Sequence, residues 1–398
     1  MDNNTDISQH KDNIKEVIFF TYGDSNEAST WSNVPYLFTE SLVRHGIIVR
    51  RVNLNGFPRW IKRVYNVAVC RVYRLFHKHT SYNFSRSGVF RKLCQRKIKK
   101  AVSEFPRADL CIFTNFDFYN SHSNMPTLMF CDWTYEVYIR DRLNREPDRL
   151  ERRFIRWQNE AMANAEHIVS LFKKSAAQIQ RYCPAAKVAH LGINVVNDMS
   201  HEYRDCTTDS QTLINKKQGC LNILFVGNIK YRNGASCLID AFNIIRRSHP
   251  DAQLHIVGMT YSDLNCRTDN GVTCHGYLRK DNPRENRIYY DLMYAATVFV
   301  NPTPVWAGYS STIEAMYNYT PIIVSPYDDF VEEFSENIKF GLYQRDTTAQ
   351  SIAESIIRIY TNPDYKAMCE SAHNTVSEYN WDNYVGLILE HSRLRIAD

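Results

Sequence analysis

Residues 301–314 read Asn-Pro-Thr-Pro-Val-Trp-Ala-Gly-Tyr-Ser-Ser-Thr-Ile-Glu, and this stretch decides the interpretation of the chain. An apolar run over 297–300 comes just before it and predicts a short buried strand. Pro302 and Pro304 end that strand, because proline has no backbone N–H to give to a sheet. Gly308 then allows a tight turn. The stretch therefore predicts a strand followed by a loop of small residues.

A helix is expected to follow this loop. Ser310, Ser311 and Thr312 are all good N-caps for a helix that opens near Thr312. Backbone N–H groups converge at such a helix start, and the helix dipole favours an anion there. Glu314 lies in the first turn, where its carboxylate would repel a phosphate unless it points at a pair of ribose hydroxyls. We therefore predict a nucleotide site; an ordinary strand–loop–helix connection with a charged first turn is the alternative.

The same stretch resembles the retaining glycosyltransferases of the GT-B fold, family 4 in particular. That family carries a glycine-containing loop, then Glu-Ala-Met, then a strand of the type Pro-Val-Val-Ala-Ser. Here the two motifs read Gly308 to Met316 and Pro321-Ile-Ile-Val-Ser325. The resemblance implies an α/β chain of the GT-B class, with two Rossmann-like domains facing across a cleft. The family's Glu eight residues before Glu314, which touches the donor sugar, is replaced here by Trp306.

Length and composition agree with two α/β domains. The chain has 398 residues, 44% of them hydrophobic, and no apolar run approaches the roughly 20 residues that span a bilayer. Residues 1–15 are polar and are not expected to be a secretory signal. The 11 cysteines are scattered, without Cys-x-x-Cys pairs or metal-binding spacing. We expect free thiols, no metal site and a cytoplasmic location.

A basic segment occupies 51–107. Between Arg51 and Leu110 there are 15 Lys and Arg residues against two acids, and aromatic residues are interleaved with them. Such a segment suits an anionic membrane surface; nucleic acid is a second possible partner, and a solvated face of ordinary helices a third. Because no nucleic-acid motif accompanies the charge, we expect peripheral contact with a membrane, or an anionic acceptor, and no nucleic acid.

The chain begins with a strand–loop–helix–strand pattern of the doubly wound type. Ligands in such sheets bind at the carboxyl ends of the strands. That rule places Gly23, Asp24 and the loop residues Trp31, Ser32 and Asn33 at a binding crevice. The loop resembles the start of one glycosyltransferase subgroup, where it faces the acceptor and the transferred sugar. Simple packing is the alternative for Trp31.

Asp132 and Trp133 directly follow an apolar strand over 127–131. A carboxylate at this edge of a sheet is well placed for chemistry, and the subgroup has an Asp-(Ala/Trp)-Thr-(Phe/Tyr) run in this place. Asp132 could instead be the N-cap of a helix from Thr134. We predict Asp132 and Asp24 as catalytic groups, and an acceptor site made by Trp31, Asn33 and Trp133.

The second half opens with a strand over 221–226 that ends in Gly227-Asn228. The family has Gly-Arg-x4-Lys-Gly here, and its cations hold the donor diphosphate. In this chain Asn228 stands at the Arg position and Arg232 best matches the Lys, with Lys230 as a second cation; a solvated turn is the alternative. The resemblance implies a donor site formed by Gly23, Gly227, Asn228, Lys230, Arg232, Tyr277, Gly308, Tyr309, Ser310, Ser311, Thr312 and Glu314.

The predicted domains are an acceptor-binding domain over 1–200, a linker over 201–219, a sugar-nucleotide domain over 220–378 and a terminal helix over 379–398 that crosses back to the first domain. The resemblance implies transfer of a sugar from a nucleotide-sugar to a glycan or lipid-linked acceptor. It also implies retention of configuration and no metal or other cofactor. The expected setting is synthesis of cell-surface polysaccharide or glycoconjugate. The alternatives are a non-catalytic sugar-nucleotide or glycan-binding protein, and a GT-B epimerase or phosphorylase.

Overall fold

The computed structural model describes residues 14–200, 210–264, 271–304 and 309–394. Its internal contacts divide the chain into two units. The first unit comprises residues 1–194 and 381–398, and the second comprises Val195–Asn380. Each unit contains one six-stranded sheet in which every pair of neighbouring strands is parallel.

The sheet of the first unit has the order β2-β1-β3-β4-β5-β6. Its strands are β1 Glu16–Thr21, β2 Ile48–Asn53, β3 Leu110–Phe113, β4 Thr127–Cys131, β5 His167–Ser170 and β6 Val188–Ala189. The helices around it are α1 Val34–Arg44, α2 Arg59–Tyr65, α3 Val72–Phe76, α4 Gly88–Glu104, α5 Tyr135–Val137, α6 Arg149–Ala163 and α7 Lys173–Tyr182. A π-helical turn, Asn66–Arg71, joins α2 to α3, and a second one, Tyr138–Arg142, continues α5.

The sheet of the second unit has the order β12-β11-β10-β7-β8-β9. Its strands are β7 Asn222–Val226, β8 Gln253–Val257, β9 Val272–Gly276, β10 Val298–Asn301, β11 Ile322–Val324 and β12 Gly341–Tyr343. The helices are α8 Ser210–Lys217, α9 Arg232–Ile245, α10 Tyr261–Leu264, α11 Pro283–Ala295, α12 Ser310–Tyr317, α13 Asp328–Phe334, α14 Ala349–Tyr360 and α15 Tyr365–Val376.

The central strands are mostly apolar because helices cover both faces of a parallel sheet. All four residues of β3 are 0% exposed, as are the first three of β10. In both sheets the strand order reverses once, between β1 and β3 and between β7 and β10. The loops that follow these strand pairs leave toward opposite faces, so the crevice between them is the expected ligand position in each unit.

The last helix, α16 Trp381–Leu394, packs within the first unit. The Trp381 ring stacks on Phe38 at a centroid distance of 5.4 Å. The Asp382 carboxylate accepts a hydrogen bond from Ser41 Oγ at 2.7 Å and pairs with the Arg44 guanidinium at 2.8 Å. An aromatic contact and a charged one thus hold the end of the chain against α1.

The structure corrects the predicted linker over 201–219. Residues 210–217 form α8, which belongs to the second unit, while 201–209 lie outside the described residues. The sequence gives little sign of this helix, because its buried residues are only Ile214 and Lys217. The buried Lys217 ammonium donates to the carbonyl oxygens of Met293 and Ala296, at 3.2 and 3.1 Å, and to Thr320 Oγ1 at 2.9 Å. These polar bonds, which no hydrophobic pattern encodes, fix α8 to the unit.

We expect Lys217 to make the stability of the second unit depend on pH. Burial lowers the pKa of its amine from 10.5 to about 7. Between these two values the unfolded chain binds more protons, so the free energy of unfolding rises with pH by up to ~1.4 kcal/mol per pH unit. Denaturant unfolding at several pH values from about 7 to 9 should therefore show the wild type gaining stability relative to Lys217→Met.

The matched control is Lys216→Met, since Lys216 is the exposed neighbour of Lys217 on the same helix. Its difference from the wild type should not change with pH. A constant difference for Lys217→Met as well would mean that its three acceptors keep the amine charged over this range, and would contradict the prediction.

Candidate active site

The crevice of the second unit is built by loops in close contact. A Cβ added at Gly258, whose φ is +98°, would lie 2.5 Å from the carbonyl oxygen of Gly227. A Cβ added at Gly234, in the first turn of α9, would lie 2.3 Å from Thr303 Oγ1. The loops after β7, β8 and β10 therefore touch one another through backbone that admits no side chain. Glycine at these positions brings main-chain groups of three loops to one edge of the sheet.

The predicted diphosphate residues lie at the start of α9. Asn228 caps the short 3-10 turn that follows β7, because its side chain accepts a hydrogen bond from the N–H of Lys230 at 3.0 Å. Lys230 and Arg232 have exposed side chains, and Arg232 is the first residue of the 14-residue helix α9. Asn228 thus shapes the loop, while two cations stand beside a helix N-terminus, where the dipole also favours an anion.

Helix α12 begins two residues earlier than predicted, at Ser310 instead of Thr312. Tyr309 occupies the N-cap position without a side-chain cap bond, and it is 1% exposed. Its ring packs edge-on against Phe330 and Phe334, at centroid distances of 5.3 and 5.9 Å. Burial of this ring, which N-cap preference does not anticipate, sets the start of the helix. Tyr309 presents no side chain to a ligand here.

The other predicted residues of this stretch have different surroundings. Ser311 Oγ donates to the carbonyl oxygen of Val226 at 3.4 Å, which links α12 to the end of β7. Thr312 is 0% exposed, inside the helix. Ser310 remains exposed at the helix start. Gly308, predicted to bind the donor, and Trp306 both lie outside the described residues.

Glu314 is held by the protein itself. It is 2% exposed, in the second turn of α12. Its Oε1 pairs with the Lys280 ammonium and accepts the Tyr290 hydroxyl at 3.0 Å, and its Oε2 accepts the Tyr289 hydroxyl at 2.8 Å. The Lys280 ammonium also donates to the carbonyl oxygen of Asn197 at 2.9 Å. Glu314, the residue predicted to bind the ribose, is therefore the centre of a buried charged cluster.

Sequence reasoning missed the three partners of Glu314. Tyr289 and Tyr290 are neighbours in α11, and Lys280 lies in the loop that leads from β9 to α11. That loop also carries Tyr277, a predicted donor residue that the structure leaves 73% exposed. A lone lysine beside a polar turn gives no signal of burial. The pair of adjacent tyrosines in an amphipathic helix was the one available hint, because a buried tyrosine hydroxyl needs a partner.

In the first unit, the loop after β1 holds Gly23 and Asp24 in a tight turn. Gly23 has φ +110°, and an added Cβ would lie 2.8 Å from Thr30 Cγ2. Asp24 Oδ1 accepts hydrogen bonds from the backbone and the side-chain nitrogen of Asn26, both at 2.9 Å. One carboxylate oxygen of Asp24 is thus used to hold the loop. Gly23, predicted to bind the donor, lies at this edge of the first sheet.

The predicted acceptor residues Trp31 and Asn33 lie in a left-handed segment. Trp31, Ser32 and Asn33 have φ values of 38°, 53° and 73°. Each such conformation in a non-glycine residue costs on the order of 1–3 kcal/mol, and strain of this kind clusters at functional sites. The segment places the Trp31 ring 6.2 Å from the ring of Phe130, so part of this side chain is used in packing.

Asp132 is not a helix cap. Thr134 is the N-cap of α5, since its Oγ1 accepts a hydrogen bond from the N–H of Val137 at 3.3 Å. Asp132 Oδ1 accepts bonds from the N–H of Trp133 at 2.9 Å and from Cys131 Sγ at 3.1 Å. Burial raises the pKa of the Asp132 carboxyl above its ordinary value. The cap alternative is therefore wrong, which leaves Asp132 as a half-buried carboxyl at the end of β4.

Trp133, the third predicted acceptor residue, is packed on both sides. Its ring stacks on Phe172 at a centroid distance of 6.1 Å. The Arg142 guanidinium lies 4.9 Å from the ring centroid, within cation–π range. The Trp133 side chain is half-buried, and these two contacts set the orientation of its ring.

Asp117 is a third carboxyl at this edge, and sequence reasoning missed it. It follows β3, which lies between β1 and β4, and so stands between the loops of Asp24 and Asp132. It accepts hydrogen bonds from the Tyr22 hydroxyl at 2.7 Å and from Gln158 Nε2 at 2.6 Å, and burial raises the pKa of its carboxyl. An acid soon after a buried strand was the available signal.

Among the described residues, no group of three or more His, Cys, Asp or Glu side chains could hold a metal ion. The nine cysteines in the described ranges are all free thiols. In the part of the chain that the structure describes, no helix has the length and apolarity needed to cross a membrane.

Comparison with known families decides what the second unit is. Residues 220–362 match the sequence model of the family described as Glycosyl transferases group 1. This match covers the greater part of the second unit, which is therefore similar to a group 1 glycosyltransferase domain. No curated protein matches the chain by sequence.

Solved structures similar to this chain share its fold at low identity. Sucrose-phosphate synthase from Thermosynechococcus elongatus has a TM-score of 0.66 and 16% identity, over 96% of this chain and 99% of that one. WaaG, a glycosyltransferase involved in lipopolysaccharide biosynthesis, has a TM-score of 0.62 and 14% identity, over 94% and 99%. HepE from Anabaena, solved with UDP and glucose, has a TM-score of 0.56 and 14% identity, over 94% and 98%. The predicted GT-B fold class is confirmed.

We expect Lys280 and Glu314 to be strongly coupled. Removing one member of a buried ion pair leaves the other charge without compensation, which costs about 3–5 kcal/mol. Lys280→Met and Glu314→Gln should therefore each destabilise the second unit, and the double variant should lose much less than the sum of the two. A double-mutant cycle by denaturant unfolding measures the coupling.

The control pair is Arg279 and Asp281, an ion pair at 2.7 Å in the same loop. Its Arg279 side chain is 56% exposed, so the coupling should be small there, at about 0–1 kcal/mol. If the stability losses of Lys280→Met and Glu314→Gln were additive in the double variant, the predicted coupling of the two charges would be wrong.

Proposed function

We propose that this protein transfers a sugar from a nucleotide-sugar to a glycan or lipid-linked acceptor, with retention of anomeric configuration. The observation that carries the proposal is the crevice edge of the second sheet. There Lys230 and Arg232 stand exposed at the N-terminus of α9, and Ser311 in the first turn of α12 donates to the carbonyl oxygen of Val226 at the end of β7. Exposed positive charge at a helix start suits a diphosphate.

Donor recognition in this proposal is shared among three loops. Arg232 and Lys230 bind the diphosphate together with backbone amides at the starts of α9 and α12. The exposed Tyr277, in the loop after β9, borders the base. Glu314 borders the ribose, because Oε2 accepts only the Tyr289 hydroxyl among the described residues, and a carboxylate oxygen has a second lone pair. HepE was solved with UDP and glucose, so UDP-sugars are the first donors to test.

The proposed chemistry is a front-face attack by an acceptor hydroxyl, in which the leaving phosphate accepts the proton. This route requires no protein nucleophile, so Trp306 in place of the family Glu is compatible with it. Arg232, Lys230 and the helix amides form a preorganised positive site for the charge that develops on the diphosphate. We propose that no metal or other cofactor is required.

The first unit supplies the acceptor side. The hydrogen bonds within the described residues reach only Oδ1 of Asp132, and its Oδ2 can accept one from a sugar hydroxyl. Asp24 is the second candidate, with one oxygen already used in its loop. Trp31, Asn33 and Trp133 form the proposed acceptor surface.

The proposed setting is cytoplasmic synthesis of cell-surface polysaccharide or glycoconjugate. The free thiols of the nine described cysteines support a reducing compartment. Nucleic acid is not a proposed partner.

The first experiment is a thermal-shift screen with UDP-, GDP-, ADP-, dTDP- and CMP-sugars, since a ligand that binds the folded state stabilises it by RT ln(1 + [L]/Kd). The stabilising donor is then incubated with and without acceptor, and its hydrolysis is followed. Slow hydrolysis supports a transferase. Binding without any turnover indicates a non-catalytic binding protein, and acceptor-independent isomerisation or phosphate-dependent turnover indicates an epimerase or a phosphorylase.

We predict that Arg232→Ala weakens binding of nucleoside diphosphate much more than binding of nucleoside, because the guanidinium contacts only the phosphates. Glu314→Gln should weaken both ligands to a similar degree, about tenfold or more, since a charged hydrogen bond is worth ~1.5–3 kcal/mol. Isothermal titration calorimetry on folded variants measures both. If Arg232→Ala lost the same affinity for nucleoside as for nucleoside diphosphate, Arg232 would not be a diphosphate ligand. If Glu314→Gln kept its nucleoside affinity, Glu314 would have a purely structural role.

We predict that Asp132→Asn lowers kcat by about 10²–10⁴ with little change in donor affinity, as expected for a group that acts on a proton or an oriented hydroxyl in the transition state. Thr134→Ala is the control. It removes the α5 cap and should cost ~1 kcal/mol of stability with nearly normal turnover. Normal turnover in Asp132→Asn would move the search for a catalytic group to Asp24.

A further inference from the structure

The helical stretch 59–76, formed by α2, the π turn and α3, has a well-anchored inner face. The Tyr65 hydroxyl lies 2.9 Å from the Tyr82 hydroxyl, and the Tyr73 hydroxyl donates to Asp148 Oδ1 at 2.9 Å. Cys70 is 1% exposed. These contacts fix which side of the stretch faces the first unit and which side faces away.

The opposite side, which we call the outer face, is apolar and exposed. Seven of the thirteen exposed large hydrophobic side chains in the described part of the chain fall within these 18 residues. They include Trp60, Leu75 and Phe76, which are 66%, 70% and 80% exposed. The others are Val64, Val67, Val69 and Val72. Single exposed apolar residues are ordinary, but a concentration of this kind marks an interaction surface.

Positive charge accompanies the apolar residues. Arg59, Lys62, Arg63, Arg71 and Arg74 are exposed on the same stretch, and the sequence has no Asp or Glu from residue 41 to residue 103. Elsewhere in the basic segment several cations are used internally. Arg51 pairs with Glu40 at 2.6 Å, and Arg91 pairs with Glu160 at 3.3 Å.

Helix α4 shows that charge alone does not make such a face. Its Lys92, Arg96, Lys99 and Lys100 are exposed, but Val89 is its single exposed large hydrophobic residue. The two basic stretches of the first unit thus differ in the number of exposed large hydrophobic side chains, which are the groups that could insert into an apolar phase. That difference supplies an internal control.

We propose that the outer face of helix 59–76 docks the protein on an anionic lipid bilayer, lying in the plane of the interface. Lys and Arg would contact the anionic headgroups, while Trp60, Leu75 and Phe76 would enter the boundary with the acyl chains. A second copy of the chain fits less well, because a symmetric pair of these faces would bring like charges together. Vesicle binding itself does not depend on the proposed activity, although it would bring the enzyme to a lipid-linked acceptor.

The test is co-sedimentation of the full chain with vesicles of phosphatidylcholine alone, and with about 30% phosphatidylserine, at low and high salt. The wild type should bind the anionic vesicles at least tenfold more tightly than the neutral ones, and binding should weaken with salt. The apolar variant Trp60→Ser/Leu75→Ser/Phe76→Ser should lose at least tenfold, and so should the charge variant Lys62→Ser/Arg63→Ser/Arg74→Ser. The control Lys99→Ser/Lys100→Ser on α4 should stay within about twofold of the wild type.

Three results would overturn the proposal. The first is absence of binding to anionic vesicles at low salt. The second is a loss of vesicle affinity in the α4 control as large as that in the charge variant. The third is binding of the apolar variant as tight as that of the wild type. If the apolar variant instead dissociates a dimer in analytical ultracentrifugation and keeps its vesicle binding, the outer face is a contact between copies. Melting temperatures show that each variant is folded, and donor hydrolysis without vesicles, unchanged in all of them, separates this inference from the proposed activity.

Discussion

Both units depend on one constraint: a parallel sheet covered on both faces leaves no room for polar chemistry along its central strands. Leu110 to Phe113 and Val298 to Val300 are 0% exposed, so every polar group that a ligand could reach from these strands must come from the loops at their ends. Where the strand order reverses, two of these loops diverge. Asp24, Asp117 and Asp132 follow three adjacent strands of the first sheet, and Lys230 and Arg232 follow the first strand of the second.

The second unit differs from the motifs that it resembles in the placement of its charged side chains. Asn228 replaces an arginine and uses its side chain to cap the turn after β7. Glu314 keeps its place in the sequence but shares its carboxylate with Lys280 and two tyrosines. A carboxylate buried to this extent is tolerated because a cation and two hydroxyls satisfy its oxygens. The cluster also secures Asn197, in the segment that opens the second unit.

The basic segment of the first unit contains two kinds of helical stretch that its composition does not separate. In α4 the cations flank a face whose Phe90, Cys94 and Ile98 are buried in the core, and Lys97 donates to the carbonyl oxygen of Asn53 at 2.8 Å. In the stretch 59–76, by contrast, seven large hydrophobic side chains are exposed. The sequence shows apolar residues in both α4 and the stretch 59–76. Only the packing of the rest of the unit decides which of these residues are buried.

The alternation of apolar strands and amphipathic helices determined from the sequence that the chain is α/β, and it located the loops after β1, β4, β7 and β10. The GT-B class came from the resemblance of the motifs around Glu314 to a known family. The tertiary structure alone decided what the side chains in those loops do. Tyr309 is buried, Thr134 and not Asp132 caps α5, residues 210–217 form a helix held by a buried lysine, and Glu314 has three partners. The periodicity of apolar residues indicates which face of a helix or strand is buried, and it can be seen within a short segment of sequence. The partner of a polar group is distant in the chain, as Lys280 is for Glu314 and Thr320 is for Lys217, so periodicity does not identify it.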